Sequence, residues 1–230
     1  MRRVLVLMTG MIALVAAVAS AQGGAGAPPP AAGGNGYVEG VAQSAFGNVT
    51  SQSYGAEAGV TILPGLQVFV EGGRIRDVAN AAIIGVAAQT IAAYLTRTQS
   101  GVVSYSVKQP ATFGLVGLKY LIPLSGSGRS PIGKAQPYIM AGGGIARVQN
   151  NVAFTIGGTD VTANLQQYGV ALGADLSGSV TKAMLTLGGG VTLPVWQRLI
   201  LDFQYRYGRI FTDDQAITAQ RAGLGLGIGF

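Results

Sequence analysis

The sequence predicts an all-β fold, a closed antiparallel β-barrel whose strands cross a membrane, and three observations carry that expectation. Only 10% of the 230 residues are charged and the mean hydropathy is +0.41, too apolar for a chain that must cover itself in water. Beyond the N-terminus every apolar stretch is broken by Gly, Pro or polar residues, so none supplies the roughly 20 apolar residues of a membrane helix. From Gly36 onward the apolar residues recur with period two, which places alternate side chains on opposite faces of a strand. In hydrocarbon every backbone group of a strand must be paired, and closing the sheet removes the edges that would not be.

The N-terminus sets the expected compartment. Met1, Arg2 and Arg3 form a positive start, Val4 to Val18 an apolar core, and Ala19-Ser20-Ala21 a small-x-small cleavage pattern, together the layout of a secretory signal peptide spanning 1–21. Gln22 is then the mature start, and losing Arg2 and Arg3 takes the formal charge from +6 to +4. No Lys/Arg cluster accompanies that modest basicity, so nucleic acid is not an expected partner. The chain has no Cys, which excludes a lipoprotein, disulfides and thiolate metal sites. Residues 22–35 contain only Gly, Ala, Pro, Gln and Asn and read as a periplasmic lead-in with little to bury. The barrel is expected over 36–230.

Its last strand is the plainest. Ala222, Leu224, Leu226, Ile228 and Phe230 alternate with Gly223, Gly225, Gly227 and Gly229, one face for lipid and the other for a crowded interior. In the strand before it, Leu199, Leu201, Phe203, Tyr205 and Tyr207 alternate with Asp202, Gln204 and Arg206, apolar outside and charged inside. Further strands are expected near 183–194, 135–148, 111–122, 65–76, 53–63 and 36–47, making eight. Tight turns fall at Leu63-Pro64-Gly65 and at 194–197, with a longer polar turn at 124–135. The opposite side carries 47–52, the long segments 77–110 and 149–182, and 210–220. An even count puts both ends of the barrel on the periplasmic side.

Two stretches leave alternatives open. Residues 80–95 (NAAIIGVAAQTIAAYL) read either as a solvated loop or as a short helix folded into or over the barrel mouth. Val152 to Ile156, a turn at 157–160 and Val161 to Leu165 read as a hairpin. If it pairs at membrane depth the barrel has ten strands rather than eight.

This pattern resembles the small outer-membrane β-barrel family, similar to the transmembrane part of OmpA and to OmpX-like proteins. The residues that carry it are Gln136-Pro137-Tyr138-Ile139-Met140-Ala141-Gly142-Gly143-Gly144, then Leu187-Gly188-Gly189-Gly190-Val191, then Asp202-Phe203-Gln204-Tyr205-Arg206-Tyr207, and the terminal Phe230. The resemblance implies the outer membrane of a diderm bacterium, outer-membrane lipid and lipopolysaccharide as surroundings, and barrel-assembly machinery as a partner during insertion, with Phe230 as part of the insertion signal. Nothing follows Phe230, so the soluble wall-binding domain of the OmpA pattern is not expected, and 77–110 is longer than a minimal member would carry.

Candidate chemistry is sparse. The sequence has no His, the side chain on which barrel-type lipases, deacylases and proteases usually rely for a base, so an enzyme is not expected. Glu39, Glu57, Glu71 and Asp202 fall on the interior parity of their strands. They could serve as acid and base, but they read better as a barrel-interior charge network with Lys119 and Arg206, since an unpaired buried ion costs several kcal/mol. The triplets Gly142-Gly143-Gly144 and Gly188-Gly189-Gly190 open no helix and so lack what holds a phosphate; they read as close packing in strands. Tyr37, Tyr120, Tyr138, Trp196, Tyr205, Tyr207 and Phe230 read as an interfacial girdle. No cofactor or metal is expected. The expected function is structural or interactive, the barrel serving as anchor and 77–110 and 149–182 as the presented surface; a small pore for ions or solutes is the alternative.

Overall fold

The computed structural model describes residues 35–79, 84–123, 135–212 and 215–230. The expected signal peptide, nearly all of the lead-in and most of the 124–135 turn lie outside the described residues. Eight antiparallel strands close into a barrel. They are β1 (Gly36–Gly47), β2 (Ser51–Leu63), β3 (Leu66–Ile75), β5 (Ala111–Leu121), β6 (Gln136–Gln149), β9 (Ser179–Trp196), β10 (Leu199–Ile210) and β11 (Ile217–Gly229). Around the barrel they run in the order β1, β11, β10, β9, β6, β5, β3, β2. The remaining strands, β4 (Val103–Lys108), β7 (Asn151–Ile156) and β8 (Thr159–Asp160), form a separate three-stranded sheet. Among the described residues no helix is long and apolar enough to cross a membrane.

Register fixes the size of the barrel. Followed strand by strand, the pairing runs from Tyr37 through Gly59, Phe69, Gly117, Gly142, Thr186, Gly208 and Ala219 back to β1 at Gly47. One circuit therefore advances ten residues along β1, from 37 to 47. Ten rises of about 3.4 Å against eight spacings of about 4.8 Å tilt the strands by roughly 40°. A 12-residue strand such as β1 then spans about 30 Å, the thickness of a hydrocarbon core.

Alternation sets the two faces. On β11, Leu224, Leu226 and Ile228 are exposed on the outer wall and Arg221 is buried inside; on β10, Phe203 and Tyr205 face out, whereas Asp202, Gln204 and Arg206 face in. The tight turn after β2 passes through Pro64 and needs Gly65, which sits at φ +78, a conformation a Cβ resists. The next tight turn falls later than expected: β9 continues through Trp196, leaving Gln197 and Arg198 to turn.

Both ambiguous stretches belong to a folded cap. Helix α1 (Val86–Thr98) starts and ends later than the 80–95 pattern, and residues 80–83 lie outside the described residues. It buries Ala88, Ala92 and Leu95, one face of a 3.6-residue period. Thr90, Thr96 and Thr98 return their hydroxyls to the carbonyls of Val86, Ala92 and Tyr94 at 3.0, 2.8 and 3.1 Å. The buried face packs with Val152, Phe154, Val161 and Leu165 into one apolar cluster.

The 151–165 segment does turn at Gly157 and Gly158, φ +58 and +83, the paired positive values of a two-residue hairpin. Its second arm, however, pairs only at Thr159 and Asp160, and Thr162–Tyr168 forms a 3-10 helix instead of a strand. Asp160 Oδ1 accepts the Thr162 N–H at 2.8 Å while the Thr162 hydroxyl accepts the Phe154 N–H at 2.8 Å, turning the chain out of the ladder. Hydrogen bonding from the Thr162 side chain and then from its backbone N–H holds the Asp160 carboxyl below its usual range. β7 pairs instead with β4, from Val103 opposite Ile156 to Lys108 opposite Asn151. The barrel thus keeps eight strands.

Candidate functional site

Among the described residues the buried charges collect in the lumen, and its contents are layered along each strand. At the end of the barrel nearest the tight turns, Tyr37 opposes Gly59 and Tyr138 opposes Gly190. Each ring lies where its glycine has no side chain, and a Cβ on Gly190 would come 2.6 Å from the Tyr138 hydroxyl. Both tyrosines were expected in the interfacial girdle, yet they are 5% and 2% exposed, because they share the parity of the interior carboxylates and find partners there. Tyr37 donates its hydroxyl to Glu57 Oε1, and Tyr138 donates to Asp202 Oδ2 at 2.7 Å. Tyr120, Trp196, Tyr205 and Phe230 are exposed on the outer wall, and Tyr207 shares their parity.

All six sequence-nominated residues, Glu39, Glu57, Glu71, Lys119, Asp202 and Arg206, are buried. Glu57 on β2 stands at the centre. Its Oε1 takes Lys119 Nζ at 2.6 Å and its Oε2 takes Arg206 Nη2 at 2.6 Å. Arg206 reaches across the lumen from β10 and also places Nη1 2.7 Å from Glu71 Oε2; Glu39 Oε1 lies 4.0 Å from Nη2. The Lys119 ammonium sits 4.3 Å from the Tyr37 ring centre and 4.5 Å from that of Tyr138, a position favoured by the ring quadrupoles. Asp202 receives the Tyr138 hydroxyl rather than a cation.

Sequence reasoning missed Arg221. It is fully buried, 2.8 Å from Glu71 Oε1, and its guanidinium lies 4.5 Å from the Phe113 ring centre. A signal exists in the parity that Arg221 shares with Gly223 and Gly225, but the plain Gly/apolar alternation begins only at Ala222.

Above this network the lumen turns apolar. Ile75, Phe113, Leu115, Met184, Ile210 and Ile217 are among a buried cluster filling the end of the barrel nearest the long loops. Val78 joins it from the segment after β3. That segment is tied down over the mouth: Asp77 Oδ1 accepts the N–H groups of Ala79 and Gln109, both at 2.9 Å, Ser51 donates to the Asp77 carbonyl at 2.6 Å, and Val78 N–H bonds Gln109 O at 2.9 Å. A charged layer that spans the lumen and an apolar layer over it are in series, and the cap stands outside both. Among the described residues no group of His, Cys, Asp or Glu is placed to hold a metal ion. Chemically, the arrangement can neutralise buried charge and hold opposite walls of the barrel together.

The fold and this lumen define a class: an all-β, eight-stranded antiparallel transmembrane barrel. Solved structures similar to it are small outer-membrane barrels. Neisserial surface protein A is 14% identical with a TM-score of 0.49, covering 85% of this chain and 96% of that one. The N-terminal β-barrel domain of Pseudomonas aeruginosa OprF is 15% identical with a TM-score of 0.44, covering 86% and 99%. A major outer membrane protein from Thermus thermophilus is 12% identical with a TM-score of 0.47, covering 85% and 99%. No family model and no curated protein sequence matches the chain.

Proposed function

We propose that this chain is a non-enzymatic protein of a bacterial outer membrane whose barrel serves as an anchor and whose cap, residues 84–108 and 150–178, is the presented surface. The observation that carries the reading is the double seal of the lumen. Arg206 bridges Glu57 and Glu71 from the opposite wall, and an apolar cluster lies above it. An eight-stranded barrel has an interior that side chains can fill, and here they do so with a charge layer that no solute could cross without breaking ion pairs. The cap has an apolar cluster of its own, so the long connections hold a definite shape to present. The absence of His removes the usual base for hydrolysis, and the interior carboxylates are buried from any substrate outside.

Conductance across a planar bilayer tests this directly. The purified full chain should show no steady openings of porin size, and protease or surface labelling of intact cells should reach the cap. Steady openings would establish the pore instead. A cap reached only after the outer membrane is broken would place it on the wrong side.

A further inference from the structure

The cap ends in an open strand edge. Its small sheet runs in the order β4, β7, β8, so β7 has a partner on each side and, among the described residues, β4 on one side only. The strand is held firmly. Its pairing with β7, Lys108 opposite Asn151, continues through Gln149 N–H to Pro110 O at 3.0 Å into Ala111 opposite Val148, so β4 and β7 prolong β5 and β6 in one unbroken register. Gly157 N–H bonds Val102 O at 3.0 Å, which fixes the phase of the ladder. Ser104, Ser106 and Lys108 turn their backbone groups to β7, and Val103, Tyr105 and Val107 turn theirs to the free edge. Among the described residues nothing bonds the N–H or C=O groups of those three, and Ser104, Tyr105 and Ser106 are exposed in succession.

The sequence of this edge is symmetric: residues 103–107 read Val-Ser-Tyr-Ser-Val in either direction. An antiparallel second copy centred on Tyr105 sets Tyr105 against itself, Val103 against Val107 and Ser104 against Ser106. Every free N–H of one copy then meets a free C=O of the other. Val103 and Val107 pack on the cap cluster, and the Tyr105 ring centre lies 6.3 Å from that of Phe154, so the apolar faces of the two caps join edge to edge. The serines meet on the other face, where Ser104 Oγ lies 2.6 Å from Thr155 Oγ1. One patch complementary to itself is what a two-fold interface requires. Charge, proline and bulges are the usual devices against edge pairing; residues 103–107 contain no charge and no proline, and their ladder runs without a bulge. Lys108 lies just outside, and in this pairing the two Lys108 residues stand about 20 Å apart, too far to repel through salt.

We infer that β4 is an interface between two copies of this chain, an antiparallel pairing of β4 with β4 centred on Tyr105 that joins the three-stranded sheets of two caps into one. Main-chain hydrogen bonds carry strand addition of this kind, and a strand already held in a ladder loses little freedom on pairing. The interface gives the presented surface proposed above a partner, and it rests on that reading only for the side of the membrane on which the copies meet.

The full chain in density-matched detergent micelles, where two barrels are free to take any relative orientation, is followed by sedimentation equilibrium over a concentration series. A reversible dimer is expected. Tyr105→Pro removes an N–H that β7 does not use, and Tyr105→Lys sets two like charges opposite each other. Each should weaken the dimer about tenfold or more while keeping the heat-shifted gel band. Because the chain has no Cys, introduced disulfides map the register. Under mild oxidation Y105C alone should cross-link to itself, its Cα atoms about 5.5 Å apart. S104C and S106C should cross-link when mixed and not alone, since like positions stand about 7–8 Å apart on the diagonal. A monomer at every concentration, a dimer indifferent to both Tyr105 variants, or S104C cross-linking to itself as readily as to S106C would overturn the interface. A monomer whose Val103, Tyr105 and Val107 amides resist hydrogen exchange would assign the edge to another segment of the same chain, which also overturns the second copy. Association in micelles does not depend on the direction of insertion, so its failure is distinct from failure of the surface reading, which labelling of intact cells reports.

Discussion

Gly36 and Phe230 exchange both backbone hydrogen bonds, Gly36 N–H to Phe230 O at 2.8 Å and Phe230 N–H to Gly36 O at 2.9 Å. With the register from Tyr37 opposite Gly229 to Gly47 opposite Ala219, this pairing joins the first strand to the last and leaves no edge in lipid. A closed ladder resists detergent until heated. The unboiled protein should run on a detergent gel at a different apparent mass from the boiled one; identical mobility would count against closure.

The cross-lumen ion pair offers a second test. Arg206 is held by Glu57 at 2.6 Å and by Glu71 at 2.7 Å, all three side chains buried. Removing one partner of a buried pair strands the other charge at a cost of about 3–5 kcal/mol. Glu57→Gln and Arg206→Gln should each destabilise the barrel to urea, and the double variant should lose markedly less than the two together. Additivity to within about 0.5 kcal/mol would mean that the two side chains act independently.

The cap should be separable from the barrel. Leu95 and Phe154 are fully buried in its cluster, so truncating either to Ala should cost about 2–5 kcal/mol of local stability. Hydrogen exchange should rise in 84–108 and 150–178 while the barrel strands keep their protection and the heat-shifted gel band persists. Loss of the band would show that the cap is needed to hold the barrel together.

These tests also separate what the residues announced from what they did not. The outer and inner faces of β10 and β11 were legible because glycine or charge alternates there with Leu, Ile and aromatics, leaving one choice of face. The apolar end of the lumen was not: in β5, Phe113 and Leu115 face in while Val116 and Leu118 face out, and two apolar faces give no alternation to read. Tyr37 and Tyr138 misled because an amphipathic ring suits an interface and a polar lumen equally well. β4 does alternate, Val103, Tyr105 and Val107 against Ser104, Ser106 and Lys108, yet its partner β7 lies in the other long connection, and no local signal links the two. Its pairing awaited the fold.

The last prediction concerns Phe230, whose ring is exposed on the outer wall and whose backbone closes the ladder with Gly36. We propose that the side chain is also part of the signal by which the chain is recognised for insertion, following an outward face of Ala222, Leu224, Leu226 and Ile228. Three roles are then open to one residue, and two changes distinguish them. Deleting Phe230 removes the ring and the closing hydrogen bonds, whereas Phe230→Ala removes only the ring. If the ring is the signal, both variants should reach the outer membrane in severalfold lower amounts, yet the Phe230→Ala protein refolded in detergent should show the usual heat-shifted band. If closure alone matters, only the deletion should suffer. If the ring merely sits in the interfacial girdle, Phe230→Ala should lose some stability and still be delivered. Membrane fractionation of strains expressing each variant decides, and wild-type amounts of Phe230→Ala in the outer membrane would show that the ring is not the signal.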